Sequence, residues 1–164
     1  MKNILLAILT LVFLACNQSA GNDNVLRARI DSLETKLNNA YKPGFGEFMS
    51  EIQVHHEKLW FAGENENWKL ADFEINEIKE SLAGIKEYCT DRPESKELGM
   101  IDEPMDSINN AVQQKNHELF KRGFELLTAA CNNCHRTTNH GFNVIKIPDS
   151  PPFSNQIFKL EKVQ

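Results

Sequence analysis

Basic residues are too few and too scattered in this chain of 164 residues to suit nucleic acid. The 18 Lys and Arg are outnumbered by 23 Asp and Glu, the net charge is −5, and no basic cluster interleaves with aromatics. No apolar run reaches the ~20 residues that a membrane-spanning helix needs. No alternation of apolar and polar residues bounded by turn signals marks a β-strand. Cysteine is sparse, with four in all, and there is neither a second CxxC nor an HxxxH to complete a closed zinc site of the usual two-pair kind. No nucleophile–base arrangement and no paired catalytic carboxylates can be named, so the sequence gives no reason to expect an enzyme. What is present, 41% hydrophobic and 25% charged residues, is ordinary for one soluble globular domain.

The first 16 residues form a separate segment. Lys2 supplies a positive start, and residues 4–14 (ILLAILTLVFL) have the length of a signal-peptide apolar core. Phe13-Leu14-Ala15-Cys16 follows, and then polar NQSAGNDN. This pattern resembles a bacterial lipoprotein signal, in which the cysteine after a small residue is lipidated; Phe13 departs from the usual Leu. The resemblance implies export, a lipid anchor at Cys16 and a location on the non-cytoplasmic side of a bacterial membrane, at the periplasm or the cell exterior. An ordinary secretory signal that happens to contain a cysteine is the alternative. Either places the chain where disulfides persist and where c-type haem is attached.

Residues 17–24 read as a flexible tether. Leu26, Ile30, Leu33 and Leu37 then recur at spacings of four, three and four, which predicts an amphipathic helix over residues 25–41. Its stripe suits packing against the main domain or pairing with a second copy in a homodimer. Pro43-Gly44 ends it. Further helices are expected over residues 45–62 (inner positions Phe45, Phe48, Met49, Ile52, Leu59, Trp60) and 68–89 (Leu70, Ala71, Phe73, Ile75, Ile78, Leu82, Ile85). After a loop at 90–100, two more are expected over 102–114 (Met105, Ile108, Val112) and 116–134 (Leu119, Phe120, Phe124, Leu127, Ala130, Cys131). Asn65 and Asn67 are placed to cap the second of these helices. Three prolines in IPDSPPF preclude a helix at 147–153, and its apolar content predicts a tail lying back on the helices. The fold expected is all-α: an antiparallel four-helix bundle with an extra N-terminal helix and a proline-rich C-terminal tail. The segments are 1–16 (signal), 17–44 (tether and helix) and 45–164 (bundle and tail).

The motif Cys131-Asn132-Asn133-Cys134-His135 carries the chemistry. Two thiols at i and i+3 with an imidazole at i+4 share one helix face. Each thiol can add to a haem vinyl group, the two vinyls lie on one edge of the macrocycle, and the adjacent imidazole reaches the iron. Zinc would accept the same three groups but needs a fourth, for which His140 is the nearest candidate. A redox CxxC belongs at a strand-to-helix turn, whereas this one ends a helix. One covalently attached haem is the reading the spacing favours.

A CxxCH near the end of the last bundle helix resembles the cytochrome c′ family, over residues 45–135. That resemblance implies a haem between the helices, thioether bonds at Cys131 and Cys134, and His135 as the proximal iron ligand. The N-terminal helix and the proline-rich tail depart from that family. A closer similarity is to exported bacterial cytochrome c-like proteins of undefined function. It rests on KPGFG (42–46) running on to Met49, on HHEKLWFAGENENWKLADFEINEIKE (55–80), on CNNCHRTTNHGF (131–142) and on SPPFSNQ (150–156).

Opposite the proximal side, the first bundle helix offers His56, His55 and Met49. His56 lies in a stripe with Met49, Ile52, Leu59 and Trp60, which makes it the first candidate for a distal ligand or a pocket hydrogen bond. His55 and Met49 are the alternatives. Trp60 and Trp68 read as packing or as a haem-pocket wall, Lys58 as solvated or ion-paired, His117 as a surface residue, and Cys89 as a buried thiol or an interchain disulfide. Phe142, Ile145, Ile147 and Phe153 are placed to cover a haem edge. The expected activity is single-electron transfer with redox partner proteins of a membrane chain. A five-coordinate module binding NO or CO is the main alternative, and a zinc-stabilised structural lipoprotein is the other.

Overall fold

The structure, a computed structural model, describes residues 19–38, 40 and 42–160. The signal segment and its Cys16 lie outside the described residues. The chain divides into two units, Met1–Lys42 and Pro43–Gln164. Among the described residues it has five α-helices and no strand, so the fold is all-α.

The first unit contributes α1, Ser19–Asn38. The helix begins well before the Leu/Ile stripe, so the tether expected at 17–24 is helical from Ser19. Once nucleated, a helix propagates at little cost through a stretch free of proline. Lys36 in its last turn suits the negative end of the helix dipole. Val25, Leu26, Ile30, Leu33 and Leu37 are all exposed on it.

The second unit holds α2 (Phe45–Glu64), α3 (Trp68–Tyr88), α4 (Asp102–Gln113) and α5 (His117–Thr137). Helix α2 starts after Pro43-Gly44, and Glu47 Oε2 accepts the Gly44 N–H at 2.6 Å. Asn67 Oδ1 caps α3 by accepting Leu70 N–H at 3.3 Å, and Asn116 Oδ1 caps α5 through Leu119 N–H at 3.0 Å. Asn65 has a different job from the one expected. Its Nδ2 donates to Phe61 O at 2.8 Å and closes the end of α2.

The core joins Phe48, Ile52 and Leu59 of α2 to Ile75, Ile78, Leu82 and Ile85 of α3. Met105, Ile108 and Val112 of α4 and Phe120, Phe124 and Leu127 of α5 complete it. Helix α2 packs on α3, α4 on both α3 and α5, and α5 on α2. At one end Glu64 pairs with His117 at 3.0 Å, and Gln113 donates to Asp72 at 2.6 Å. At the other, Lys86 approaches Asp102 at 3.8 Å and Cys89 Sγ lies 4.0 Å from Pro43 O. Gly63 of α2 is seated under the Phe120 ring, where a Cβ would lie 2.0 Å from the ring carbon.

Three further expectations are corrected. The loop expected at 90–100 is largely a 3₁₀ stretch, Pro93–Ile101, that packs on α5. Pro93 sets its first φ, and Leu98 and Ile101, one 3₁₀ turn apart, are buried. Phe73 is 52% exposed, because it lies across the helical wheel from the Ile75–Ile78–Leu82–Ile85 stripe, while Glu74 beside that stripe is fully buried. The tail returns only in part: Phe142 and Phe153 are exposed, and the anchor is Phe158, buried against Phe61 at 5.7 Å between ring centres. Its carbonyl accepts Asn67 Nδ2 at 3.0 Å.

Candidate functional site

A cavity of about 290 Å³ opens between α2, α5, the 3₁₀ stretch and the loop after α5. Phe45, Ile52, Leu82, Leu98, Ile101 and Ile145 give it apolar walls. Met49, His56, Cys131, Cys134 and His135 all line it, with Arg92, Glu94 and His140. Helix α5 places both thiols and the imidazole on one wall because i, i+3 and i+4 share a face.

His135 has a defined tautomer. Its Nδ1 lies 2.7 Å from Asn143 O, and a carbonyl only accepts, so Nδ1 carries the hydrogen. Nε2 is then the nitrogen with the free lone pair, which is the form that binds a metal. The thiols are protonated. Burial, with Cys134 nearby, pushes the Cys131 thiol up to about 11; burial, then Glu97 and Glu94, raises Cys134. A redox CxxC has a lowered thiol at a helix N-terminus. This pair is raised and sits at the end of a helix, where the dipole also disfavours a thiolate.

His55 and His56 diverge. His56 is 4% exposed, stacked on Phe124 with ring centres 4.4 Å apart. Its Nε2 is 2.9 Å from Thr128 Oγ1, and that hydroxyl spends its own hydrogen on Phe124 O at 2.8 Å. His56 Nε2–H is therefore the donor. Burial pushes the ring down to about 4, so it is neutral at pH 7. His55 is turned to the other flank of α2. Its Nδ1 meets buried Glu74 at 2.6 Å, and it lines a separate groove with Glu51, Glu77 and Glu80. The structure thus brings His56 and Met49 to the cavity with the CxxCH and leaves His55 out.

The remaining side chains fall as follows. Trp60 packs on Phe124 at 4.9 Å and Trp68 on Phe120 at 6.1 Å between ring centres, and neither lines the cavity. Lys58 lies over the Phe153 ring at 5.3 Å. His117, expected at the surface, is half-buried and bridges α5 to Glu64 because the two helix ends meet there. Cys89 is buried, so an interchain disulfide would require it to turn outward. Ile145 lines the cavity and Ile147 packs on the core.

Four contributors went unread in the sequence: Arg92, Glu94, Thr128 and Asn132. Arg92 grips Glu94 through two nitrogens, at 3.0 and 3.3 Å, and puts a guanidinium on the cavity wall. Glu94 is held below the usual carboxylate range, first by that hydrogen bond. No spacing rule links residues 92 and 94 to 131–135, so nothing in the sequence marks the pair.

The residues fit a covalently attached haem in kind: two protonated thiols one helical turn apart, an imidazole with Nε2 open, apolar walls, and a cation able to face a carboxylate. The volume, about 290 Å³, lies just under the ~300–1,000 Å³ of small-molecule and cofactor sites. Among the described residues no three or more His, Cys, Asp or Glu stand close enough to hold a metal ion by themselves. No described helix is long and apolar enough to cross a membrane. Comparison with protein-family models, curated proteins and solved structures gave no match to this chain.

Proposed function

We propose that this chain is an exported mono-haem c-type cytochrome, anchored through a lipidated Cys16, that carries single electrons on the non-cytoplasmic side of a bacterial membrane. Cys131 and Cys134 would hold the haem through thioether bonds, and His135 Nε2 would ligate the iron. The bound haem supplies a one-electron Fe(III)/Fe(II) couple. The observation that carries this reading is the shared wall: two protonated thiols and an imidazole whose Nδ1–H is committed to Asn143 O, all on one largely apolar cavity. Arg92 would meet a haem propionate by sharing the guanidinium that now grips Glu94. The role is that of a carrier working with redox partner proteins, not an enzyme.

For the architecture we propose an antiparallel four-helix bundle. The Glu64–His117 and Asp72–Gln113 contacts join the end of α2 to the start of α5, and the start of α3 to the end of α4. Lys86 and Asp102 do the reverse at the opposite end.

A second reading has its own observation. His56 Nε2–H is already given to Thr128, so in this arrangement that nitrogen has no lone pair for iron. A five-coordinate haem that binds NO or CO would leave His56 as it stands. Electron transfer with His56 as ligand requires either that the ring release Thr128 or that it bind through Nδ1, which this tautomer leaves with its lone pair; Met49 is the other candidate on the same wall.

The test is an absorption spectrum of protein matured in a host that attaches c-type haem, oxidised, then reduced, then exposed to CO. Sharp low-spin bands unmoved by CO support the carrier, with His56→Ala and Met49→Ala identifying the second ligand. High-spin bands that shift with CO support gas binding. A wild-type chain that loses all its haem on denaturation, with Cys131 and Cys134 unmodified by mass, overturns both.

A further inference from the structure

Asn132 occupies a variable position of the CNNCH motif, where thioether chemistry asks for no particular side chain. Its amide is nevertheless engaged through both nitrogen and oxygen. Nδ2 donates to Thr128 O at 3.1 Å, one turn back on α5, and to Ile145 O at 2.8 Å. Oδ1 accepts Ile145 N–H at 2.8 Å. One side-chain amide thus satisfies both backbone groups of a single residue, much as a neighbouring strand would. Ile145 lies only two residues beyond Asn143, whose carbonyl accepts His135 Nδ1–H at 2.7 Å.

The segment between is irregular backbone, with two further ties of its own. His140 N–H donates to His135 O at 2.6 Å, and Asn143 N–H to His140 O at 2.8 Å. Residues in such a segment keep one conformation only where bonds offset their conformational entropy, ~1–2 kcal/mol each. The Asn132–Ile145 pair closes the far side of the loop that carries the Asn143 carbonyl. Asn133, chemically identical and one residue on, is exposed, and its amide meets Met100 Sδ at 3.9 Å.

We infer that Asn132 is a positioning residue for the iron ligand. By clamping Ile145 it holds Asn143 O on His135 Nδ1 and fixes Nε2 as the basic nitrogen. The consequence for iron rests on the functional reading above, whereas the clamp itself is a property of the chain. A hydrogen-bonded Nδ1–H makes the imidazole a stronger donor through Nε2, which stabilises the ferric state. Loss of the clamp raises the reduction potential.

The experiment uses the full chain, without haem and with haem attached, as Asn132→Ala and Asn132→Asp. Asn133→Ala and Asn143→Ala are the controls, the latter leaving the backbone carbonyl in place. In the haem-free chain, nitrogen NMR reports the His135 tautomer and amide exchange reports Ile145. Asn132→Ala should turn the Nδ1–H form into a mixture and speed Ile145 exchange roughly tenfold, the worth of one hydrogen bond. In the haem-loaded chain it should raise the midpoint potential. Both controls should match wild type. Asn132→Asp places a carboxylate against two carbonyls; in the haem-free chain it should shift the tautomer the same way, and that readout decides the matter if the alanine variant does not fold, since the added charge by itself lowers the potential. An unchanged tautomer and potential in a folded Asn132 variant overturns the inference, as does an equal shift in Asn133→Ala. If wild type attaches no haem, the functional reading fails, and the haem-free arm still decides the clamp.

Discussion

The two ends of the helical unit 43–164 are built from the same four helices and filled differently. At the end where α2 turns into α3 and α4 into α5, Trp60, Trp68, Phe120 and Phe124 pack ring against ring, stacked, tilted or edge-on, and Phe158 of the tail closes over Phe61. At the other end the helices stand around a cavity of about 290 Å³ that holds the CxxCH, His56 and Met49. Unfilled apolar volume forfeits dispersion contacts. The aromatic end is therefore where the chain draws its stability, and the cavity end is where packing has been given up to leave room for chemistry.

The largest effect should come from breaking the aromatic end. Phe120 is fully buried and touches Trp60, Trp68, Phe124 and the bare backbone of Gly63. Phe120→Ala should cost about 3–5 kcal/mol, transfer and cavity terms together. Cys134→Ala at the other end removes one sulfur from a wall already facing a void and should cost about 1 kcal/mol or less. Urea unfolding of the haem-free chain measures both. Equal costs would show that the cavity end is packed as tightly as the aromatic one. With haem attached as proposed, the order should reverse for function: Phe120→Ala should keep whatever haem its folded fraction can hold, while Cys134→Ala should lose a thioether bond outright.

His56 sits where the two ends meet, and pH isolates it. Its folded value is depressed to about 4 from 6.5, because burial penalises the charged ring. The unfolded chain therefore takes up this proton below pH 6.5 while the folded chain does not. The contribution is fully present above 6.5 and is lost as pH falls toward 4, by about 3 kcal/mol for a shift of this size. Carboxylates titrate in the lower part of that window, so the measurement is the difference between wild type and His56→Gln in the haem-free chain. The slope should flatten in the variant. A slope that survives the substitution assigns the pH dependence to other groups.

The sequence made the helix-borne core easier to read than the irregular walls of the cavity. Phe48, Ile52, Leu59, Ile75, Ile78, Leu82, Ile85, Phe120, Phe124 and Leu127 follow the 3.6 period, and burial obeys the same period. The wall that holds Cys131, Cys134 and His135 is legible for the same reason, since the motif is a helix face. What was hidden is whatever depends on backbone outside helices. Arg92 and Glu94 reach the cavity from a 3₁₀ stretch that reads as loop. Asn143 acts through its carbonyl, which no side-chain pattern reports. His55 and His56 illustrate the limit within a helix. Both lie on the apolar side of α2; the wheel puts His56 in the Met49 stripe, and what it does not report is the buried Glu74 on α3 that His55 meets.

The smallest effect sharpens the comparison at the helix ends themselves. Two residues past the ends of α2, α4 and α5 stands a residue in the left-handed region: Glu66 at φ 53°, Lys115 at φ 52° and Asn139 at φ 63°. Each is followed by the same closure, in which the next N–H reaches five residues back: Asn67 to Ala62 at 2.9 Å, Asn116 to Ala111 at 3.0 Å and His140 to His135 at 2.6 Å. Left-handed backbone costs an ordinary L-residue about 1–2 kcal/mol, part of which glycine gives back through a more disordered unfolded chain. Asparagine visits the region more readily than glutamate or lysine. Glu66→Gly and Lys115→Gly should each stabilise the protein by about 0.5–1 kcal/mol in urea unfolding, and Asn139→Gly by close to zero. The aromatic end, with its deep packing, carries two strained caps. At the cavity end the third closure lies on the carbonyl of His135 itself, and there the cap is a residue that fits. A gain for Asn139→Gly as large as the other two would remove that distinction and make the three helix ends equivalent.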